Sequence, residues 1–387
     1  MKLLATALQK NTTIQYLNLS GNRIGNDGVV ALAEALKVDS TLRCLQLDDN
    51  QIQAKGIAAL AEALEHNNHL EILTLSGNYI QPHGATALAR CLEHNTCLQS
   101  LDLSRNNILT QGAIELGKSL AYNKTIRSLR LRDNFIGADG AKAIATSLQN
   151  GSKCEEIDLS ENFIRESGAA ALANALSETT STAKLHRLYV AKNEIGNEGA
   201  HAFANALHQN SFIDWLDLRD NDIGVQGART LASGLRHNTR IRTLLLGNNN
   251  LEDQGIAGFS VGIQYNISLT TLNLQNTSMG DKGATSLAKA LRFNRTLEIL
   301  ELDDNQITEN GLLVLTEALA ESNDSLVVLT VRNNAMDDIP TFRGCPPSTE
   351  KYLEMNRDCR RKRFEIQMHK ALTEFKHGKL FNTALPN

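Results

Sequence analysis

With 387 residues, 42% of them apolar and 21% charged, the chain is longer than one ordinary globular core and has the composition of a soluble protein. A net charge of −4 and a pI near 6.2 argue against a general nucleic-acid or anionic-membrane binder, which would carry a basic excess. No apolar run approaches the ~20 residues of a membrane span, and with aromatics at only 4% the core must be aliphatic.

The first predicted element is a short helix, Lys2 to Gln9, inside the stretch MKLLATALQKNTTIQ. Its apolar part is far shorter than the hydrophobic segment of a secretory signal. Leu4 and Leu8 instead match the apolar stripe of the helices that follow, so it reads as structure: a cap on the array, or the remainder of a longer one.

From there the chain repeats itself. Leu101 to Ile108 reads LDLSRNNI, and the pattern L-x-L-x-x-N-x-I recurs with its asparagine at Asn22, Asn50, Asn78, Asn106, Asn134 and Asn162, then at Asn193, Asn221, Asn249, Asn305 and Asn334. Thr277 fills the slot between Asn249 and Asn305. Each step is 28 residues, except 31 between Asn162 and Asn193 and 29 at the end. L-x-L alternation predicts a strand with one buried face. Six residues after the slot sits a glycine, such as Gly28, Gly112 or Gly311, and apolar residues follow at helical spacing among alanines, as in ALAEAL. Each unit is therefore strand, loop, helix, loop. The asparagine falls where the chain turns off the strand, and its amide can both donate to and accept from unpaired backbone groups, so the stacked row predicts a ladder. The glycine either needs an unusual φ or lets the helix approach closely; the sequence leaves both open.

These residues resemble the ribonuclease-inhibitor-like class of leucine-rich repeats, with the signature L-x-x-L-x-L-x-x-N-x-I followed by G-x-x-x-L-x-x-x-L. The resemblance covers residues 1 to about 336. It implies an α/β solenoid of about twelve repeats, a horseshoe with a concave parallel β-sheet and convex α-helices, that recognises proteins through its concave face and rim. NOD-like receptor sensor domains, the Ran GTPase-activating proteins and repeat effectors of intracellular bacteria are similar. The uniform repeat differs from the alternating repeat lengths of ribonuclease inhibitor itself, which argues against that protein's own activity.

Further along, the 31-residue step inserts three residues in SETTSTAKLHRL, a loop between helix and strand. Thr277 offers fewer hydrogen-bond partners than an amide, so the ladder is expected to be weaker there. Residues 1–336 form the solenoid. Residues 337–387 are expected to hold a proline-containing linker, a capping helix started by Ser348, with Tyr352, Met355 and Cys359 on one face, and a tail; Arg360, Arg361, Lys362 and Arg363 form a basic run on that helix.

No nucleophile, phosphate-loop, metalloprotease or dinucleotide motif is found. Cys44, Cys91, Cys97, Cys154, Cys345 and Cys359 show no metal spacing and read as reduced thiols of a cytosolic protein. His66, His94 and His237 share a helix-end slot without converging ligands. The sequons at Asn11, Asn123, Asn150 and Asn294 fall where the repeat itself prefers asparagine. Cofactor and metal are therefore expected to be absent.

The informative positions point out of the strands into the horseshoe. The middle repeats place Arg130 and Arg132, then Glu156 and Asp158, then Arg187 and Tyr189, then Trp215, Asp217 and Arg219, while flanking repeats offer small or acidic residues such as Ser100, Thr243, Thr271, Glu301 and Asp303. Lateral pairing of arginines with acids explains the charges. It does not explain Trp215, the only tryptophan in the chain, and Trp, Tyr and Arg are enriched at interface hot spots. The expectation is a monomeric, non-catalytic scaffold with a protein partner on the concave centre and neither nucleic acid nor membrane as ligand. It is cytoplasmic, or delivered by a bacterium into a host cytosol without a classical signal peptide. The alternative is a GTPase-activating protein of the Ran-activator type, for which Arg23 is the rim arginine.

Overall fold

A computed structural model describes residues 1–335 apart from 40, 178–183 and 211. The linker, capping helix and basic run expected in 337–387, and most of the three-residue insertion, lie outside the described residues. Twelve strands and twelve helices alternate: α1 (Lys2–Leu8), β1 (Tyr16–Asn18), α2 (Gly25–Leu36), β2 (Cys44–Gln46), α3 (Ala54–His66), β3 (Ile72–Thr74), α4 (Gln81–His94), β4 (Ser100–Asp102), α5 (Leu109–Tyr122), β5 (Ser128–Arg130), α6 (Gly137–Gln149), β6 (Glu156–Asp158), α7 (Arg165–Ser177), β7 (Arg187–Tyr189), α8 (Gly196–Gln209), β8 (Trp215–Asp217), α9 (Val225–His237), β9 (Thr243–Leu245), α10 (Glu252–Tyr265), β10 (Thr271–Asn273), α11 (Asp281–Leu291), β11 (Ile299–Glu301), α12 (Glu309–Glu321) and β12 (Val328–Thr330). The strands form one open parallel sheet in the order β1 to β12. This is the leucine-rich-repeat solenoid, with the sheet on its concave side and the helices on its convex side.

Successive strands pair in register, so each slot stacks on the same slot of its neighbours: Leu101 faces Leu129, and Leu129 faces Ile157. These inward residues are fully buried, as are the helix residues Leu116, Ile144 and Phe203 that meet them. Truncating one of them to alanine is expected to cost 2–5 kcal/mol, because neighbouring repeats hold the cavity open.

The repeated glycine is there for close approach. None of these glycines adopts a positive φ, whereas a Cβ added to Gly112 would stand 2.5 Å from Ile108 Cγ2 and 2.9 Å from Ala85 Cβ of the helix before. The left-handed conformations flank the ladder asparagine instead, as at Asp133 (φ 54°) and Phe135 (φ 55°) on either side of Asn134.

The ladder is a chain of reciprocal bonds. Asn134 Nδ2 donates to Leu103 O of the previous repeat (2.9 Å) and to its own Leu131 O (3.0 Å) and Arg132 O (3.1 Å). Its Oδ1 accepts from Asn106 N (3.0 Å) and Ile108 N (3.2 Å) of the previous repeat. Asn50, Asn78, Asn106, Asn162, Asn193, Asn221, Asn249 and Asn305 are likewise buried in the row; Asn22 and Asn334 stand at its ends. Thr277 Oγ1 reaches only Leu274 O (2.9 Å) and Asn305 Oδ1 (3.2 Å), and Leu251 N turns to Asn249 O (3.0 Å).

A second asparagine row runs along the opposite, strand-start edge. Asn123 Nδ2 donates to Leu92 O (2.8 Å) and Asn95 O (3.1 Å) of the previous repeat, while its Oδ1 caps the turn at Thr125 N (2.9 Å) and Ile126 N (2.8 Å). Asn67, Asn95, Asn210, Asn238, Asn266, Asn294 and Asn323 act alike. Two of the sequons, Asn123 and Asn294, are thus buried structural amides.

Candidate functional site on the concave face

The in-register sheet decides what can meet in the middle. Arg187 lies opposite Glu156 on one side and Trp215 on the other; Tyr189 lies opposite Asp158 and Asp217. Trp215 and Tyr189 meet diagonally, ring centroids 6.0 Å apart and planes at 43°, both half-buried. That geometry belongs to the favourable tilted range for aromatic pairs. Trp215 Nε1 is buried and has no hydrogen-bond partner among the described residues.

Around the rings the charges are largely paired. Glu156 takes Arg130 (2.9 Å) from one side and Arg187 (3.3 Å) from the other. Arg132 pairs with Glu161, which also faces Lys192 at 3.6 Å. Arg219 grips Asp217 of its own strand at 2.6 Å. The four arginines remain exposed, so each presents guanidinium surface even while paired. Burial would lower the pKa of Arg130, but the Glu156 carboxylate outweighs it and the net direction is up; Asp217 raises that of Arg219. Burial pushes the Asp158 carboxyl up, against the Ser160 N–H at 2.9 Å, and pushes up the Tyr189 hydroxyl as well.

One expected contact residue needs correction. Asp217 is only 1% exposed, because in-register Tyr189 and Leu245 flank it and Arg219 covers it. It orients Arg219, whose guanidinium remains exposed. The other expected residues, Arg130, Arg132, Glu156, Asp158, Arg187, Tyr189, Trp215 and Arg219, come together on β5–β8 and the turns just after them. Beside them, at the start of the same strands, a bay of about 290 Å³ is lined by Arg127, Ser128, Glu155, Glu156, His186, Arg187 and Asp214. Reading only the outward strand positions missed this bay, since most of its lining belongs to residues just ahead of each strand.

The remaining candidates stand apart. Arg23 is exposed on the turn after β1, with φ 52°. His66, His94 and His237 are exposed in the last turns of their helices. No group of three or more potential metal ligands occurs among the described residues. Cys91 and Cys154 are buried thiols, pushed up to about 12 and about 11 by desolvation. No helix among the described residues is long and apolar enough to cross a membrane. Missed as well by sequence reading was a stacked pair of aromatics on the strand-end rim, Phe135 and Phe163, with centroids 5.9 Å apart and close to half exposed. The signal was present: both follow a ladder asparagine directly.

The family model of the leucine-rich repeat matches residues 10–33, 38–61, 66–89, 94–117, 122–145, 183–204, 209–232, 265–288 and 293–315. No curated protein gives a significant match to the sequence. Among solved structures, an internalin from Listeria monocytogenes is similar at 17% identity, covering 87% of this chain and 84% of that one with a TM-score of 0.48. A chain of the yeast Rad7 and Elc1 complex is similar at 19% identity, covering 89% and 85% with a TM-score of 0.46. The tropomodulin C-terminal domain of Caenorhabditis elegans covers 38% of this chain and 91% of its own at 14% identity and a TM-score of 0.34.

Proposed function

The chain belongs to the leucine-rich-repeat family, and from that premise we propose that it is a non-catalytic, monomeric protein-recognition module of the ribonuclease-inhibitor-like type whose partner docks on the concave centre, β5–β8. The observation that carries the reading is the Trp215–Tyr189 pair, half-buried and ringed by four exposed arginines. Repeat packing has no need of it: at the slot of Trp215 the neighbouring strands place Arg187 and Thr243. Large aromatics left on a wet surface mark interaction sites, and arginine adds both carboxylate pairing and ring stacking. The partner's matching surface is an apolar or aromatic anchor with an acidic rim. The four cysteines among the described residues are unpaired and three of them are buried, which is compatible with work in a cytosol; delivery into a host cell by a bacterium is a finer proposal that rests on the sequence resemblance alone.

Capture from cell lysates with the wild-type chain and with Trp215→Ala tests the reading. The wild type retains a partner, and the variant, folded by circular dichroism, binds it at least ~2 kcal/mol more weakly. Equal retention by the two proteins would remove the concave centre from consideration.

A further inference from the structure

The row of residues just ahead of the strands follows an ion-pair rule. Arg43 meets Glu71 (3.9 Å), Arg127 meets Glu155 (3.7 Å) and His186 meets Asp214 (3.4 Å), each basic residue facing an acid one repeat later. Arg242 stands in the same row, its N–H bonded to Asp214 O at 2.9 Å, but one repeat later comes Thr270. Arg240, two residues earlier, is followed one repeat later by Ser268. Both arginines are exposed, and neither has an ion-pair partner among the described residues.

The surroundings are unusual for this chain. The helix ends and loops spanning 236–242, 264–270 and 292–298 carry five arginines and one carboxylate, Glu298, in a protein of net charge −4. They also leave Tyr265 52%, Ile267 71% and Phe293 64% exposed. Tyr265 and Phe293 occupy a slot that holds Lys10, His94 and Gln209 in other repeats, with Val38 and Tyr122 in two more, so packing does not demand an aromatic there, and only here do two exposed aromatics stand in it in adjacent repeats. The Arg236 guanidinium lies 4.7 Å from the Tyr265 ring centroid. Arg292 and Arg295 are closed by Glu321 at the end of α12 (3.1 Å) and by Asp324 just after it (3.8 Å). Carboxylates are thus the groups this edge already uses to satisfy its arginines, and the two left over lack one.

We propose that this strand-start edge of the eighth to eleventh repeats binds an acidic segment of a protein partner. The segment's carboxylates take Arg240 and Arg242, and an apolar or aromatic side chain rests on Tyr265, Ile267 and Phe293. A continuous polyanion fits less well, because Asp214, Glu298, Glu321 and Asp324 stand around the patch and would repel a phosphate backbone or an anionic lipid surface, while a short acidic segment fits between them. The site uses neither Trp215 nor Tyr189 and is independent of the concave-face reading.

The test is fluorescence anisotropy of the full chain with a labelled peptide of glutamates flanking a central Leu-Phe pair. Saturable binding is expected that weakens at least tenfold in Arg240→Ser/Arg242→Thr, which copies the residues of the next repeat and so suits the fold, and in Phe293→Ala, and that is unchanged in Trp215→Ala. Two outcomes overturn the proposal. One is no saturable binding, or binding indifferent to those variants. The other is tighter, variant-sensitive binding of an oligothymidine or of vesicles of phosphatidylcholine with one-fifth phosphatidylserine, which would make the edge a polyanion or membrane site.

Discussion

At the strand-end edge of the sheet, the side chain of Asn134 takes part in five hydrogen bonds, three of which cross to the repeat before. At the strand-start edge, Asn123 sends only its two Nδ2 bonds across and spends its Oδ1 on its own turn. The first row runs unbroken behind the candidate site, through Asn106, Asn134, Asn162, Asn193 and Asn221. It absorbs the 31-residue step without a gap: Asn162 N still reaches Asn193 Oδ1 at 2.9 Å, and Asn193 Nδ2 reaches Leu159 O at 2.9 Å. The second row passes through Gly151, which has no side chain to offer. The cluster on β5–β8 is therefore held in register from the strand-end side, while the strand-start side gives the loops room to vary. Arginines and aromatics accumulate on those loops.

The largest effect expected from this contrast is in the strand-end row. Asn134→Ala leaves several buried groups unpaired and should lower the unfolding free energy by about 3 kcal/mol, against about 2 kcal/mol for Asn123→Ala, read from urea denaturation. Equal losses would erase the distinction between the rows. Next comes the one weak rung. Thr277→Asn would offer an amide to the backbone around Asn249 and Leu251 and should add about 1 kcal/mol; no gain would mean that the backbone there has already adapted. Asn249 itself keeps its full set, from Leu218 O at 3.0 Å to Asn221 N at 3.0 Å, so Asn249→Ala should resemble Asn134→Ala despite adjoining the weak rung.

The smallest effect concerns charge in the site. Because burial raises the folded-state pKa of Asp158, its ionised form destabilises the fold, a penalty that is complete above the folded pKa and disappears as the pH falls below the ordinary carboxylate value. Asp158→Asn keeps an acceptor for Ser160 N–H, so the variant should melt slightly higher than wild type at pH 7, with the two converging near pH 3. A variant less stable at neutral pH would mean that the Asp158 charge is held by the arginines around it.

Much of this was legible from spacing alone. L-x-L with asparagine at 28-residue steps fixes strand, turn and stack, and the same alternation brings Trp215, Tyr189 and the arginines to one face. Burial within that face was not legible: Asp217 disappears because its in-register neighbours are Tyr189 and Leu245, a lateral property that no single repeat contains. The second asparagine row was visible as spacing but read only as the repeat's preference for asparagine at the sequons. The helix starts held a further signal. Where the residue four after the ladder slot is Asn or Asp, its Oδ1 caps the helix of the next repeat, as Asn26 does for Gln53 N (2.9 Å) and Gly56 N (3.2 Å), and Asp281 for Thr308 N (2.8 Å) and Gly311 N (3.1 Å). Those capped repeats begin with extended backbone, φ −109° at Gln53 and −93° at Thr308, whereas Gln81 and Leu109, which follow Ala54 and Pro82, turn left-handed at φ 59° and 57°. The rule couples adjacent repeats and escapes any reading made one repeat at a time.

The most direct test of the central claim is amide hydrogen exchange on the full chain, free and bound to the partner captured through the wild-type protein. The account predicts added protection concentrated in 128–132, 156–161, 187–192 and 215–219, the strands and turns that carry Arg130, Tyr189, Trp215 and Arg219. Protection confined to the convex helices α5 to α9, with those four segments unchanged, would contradict it.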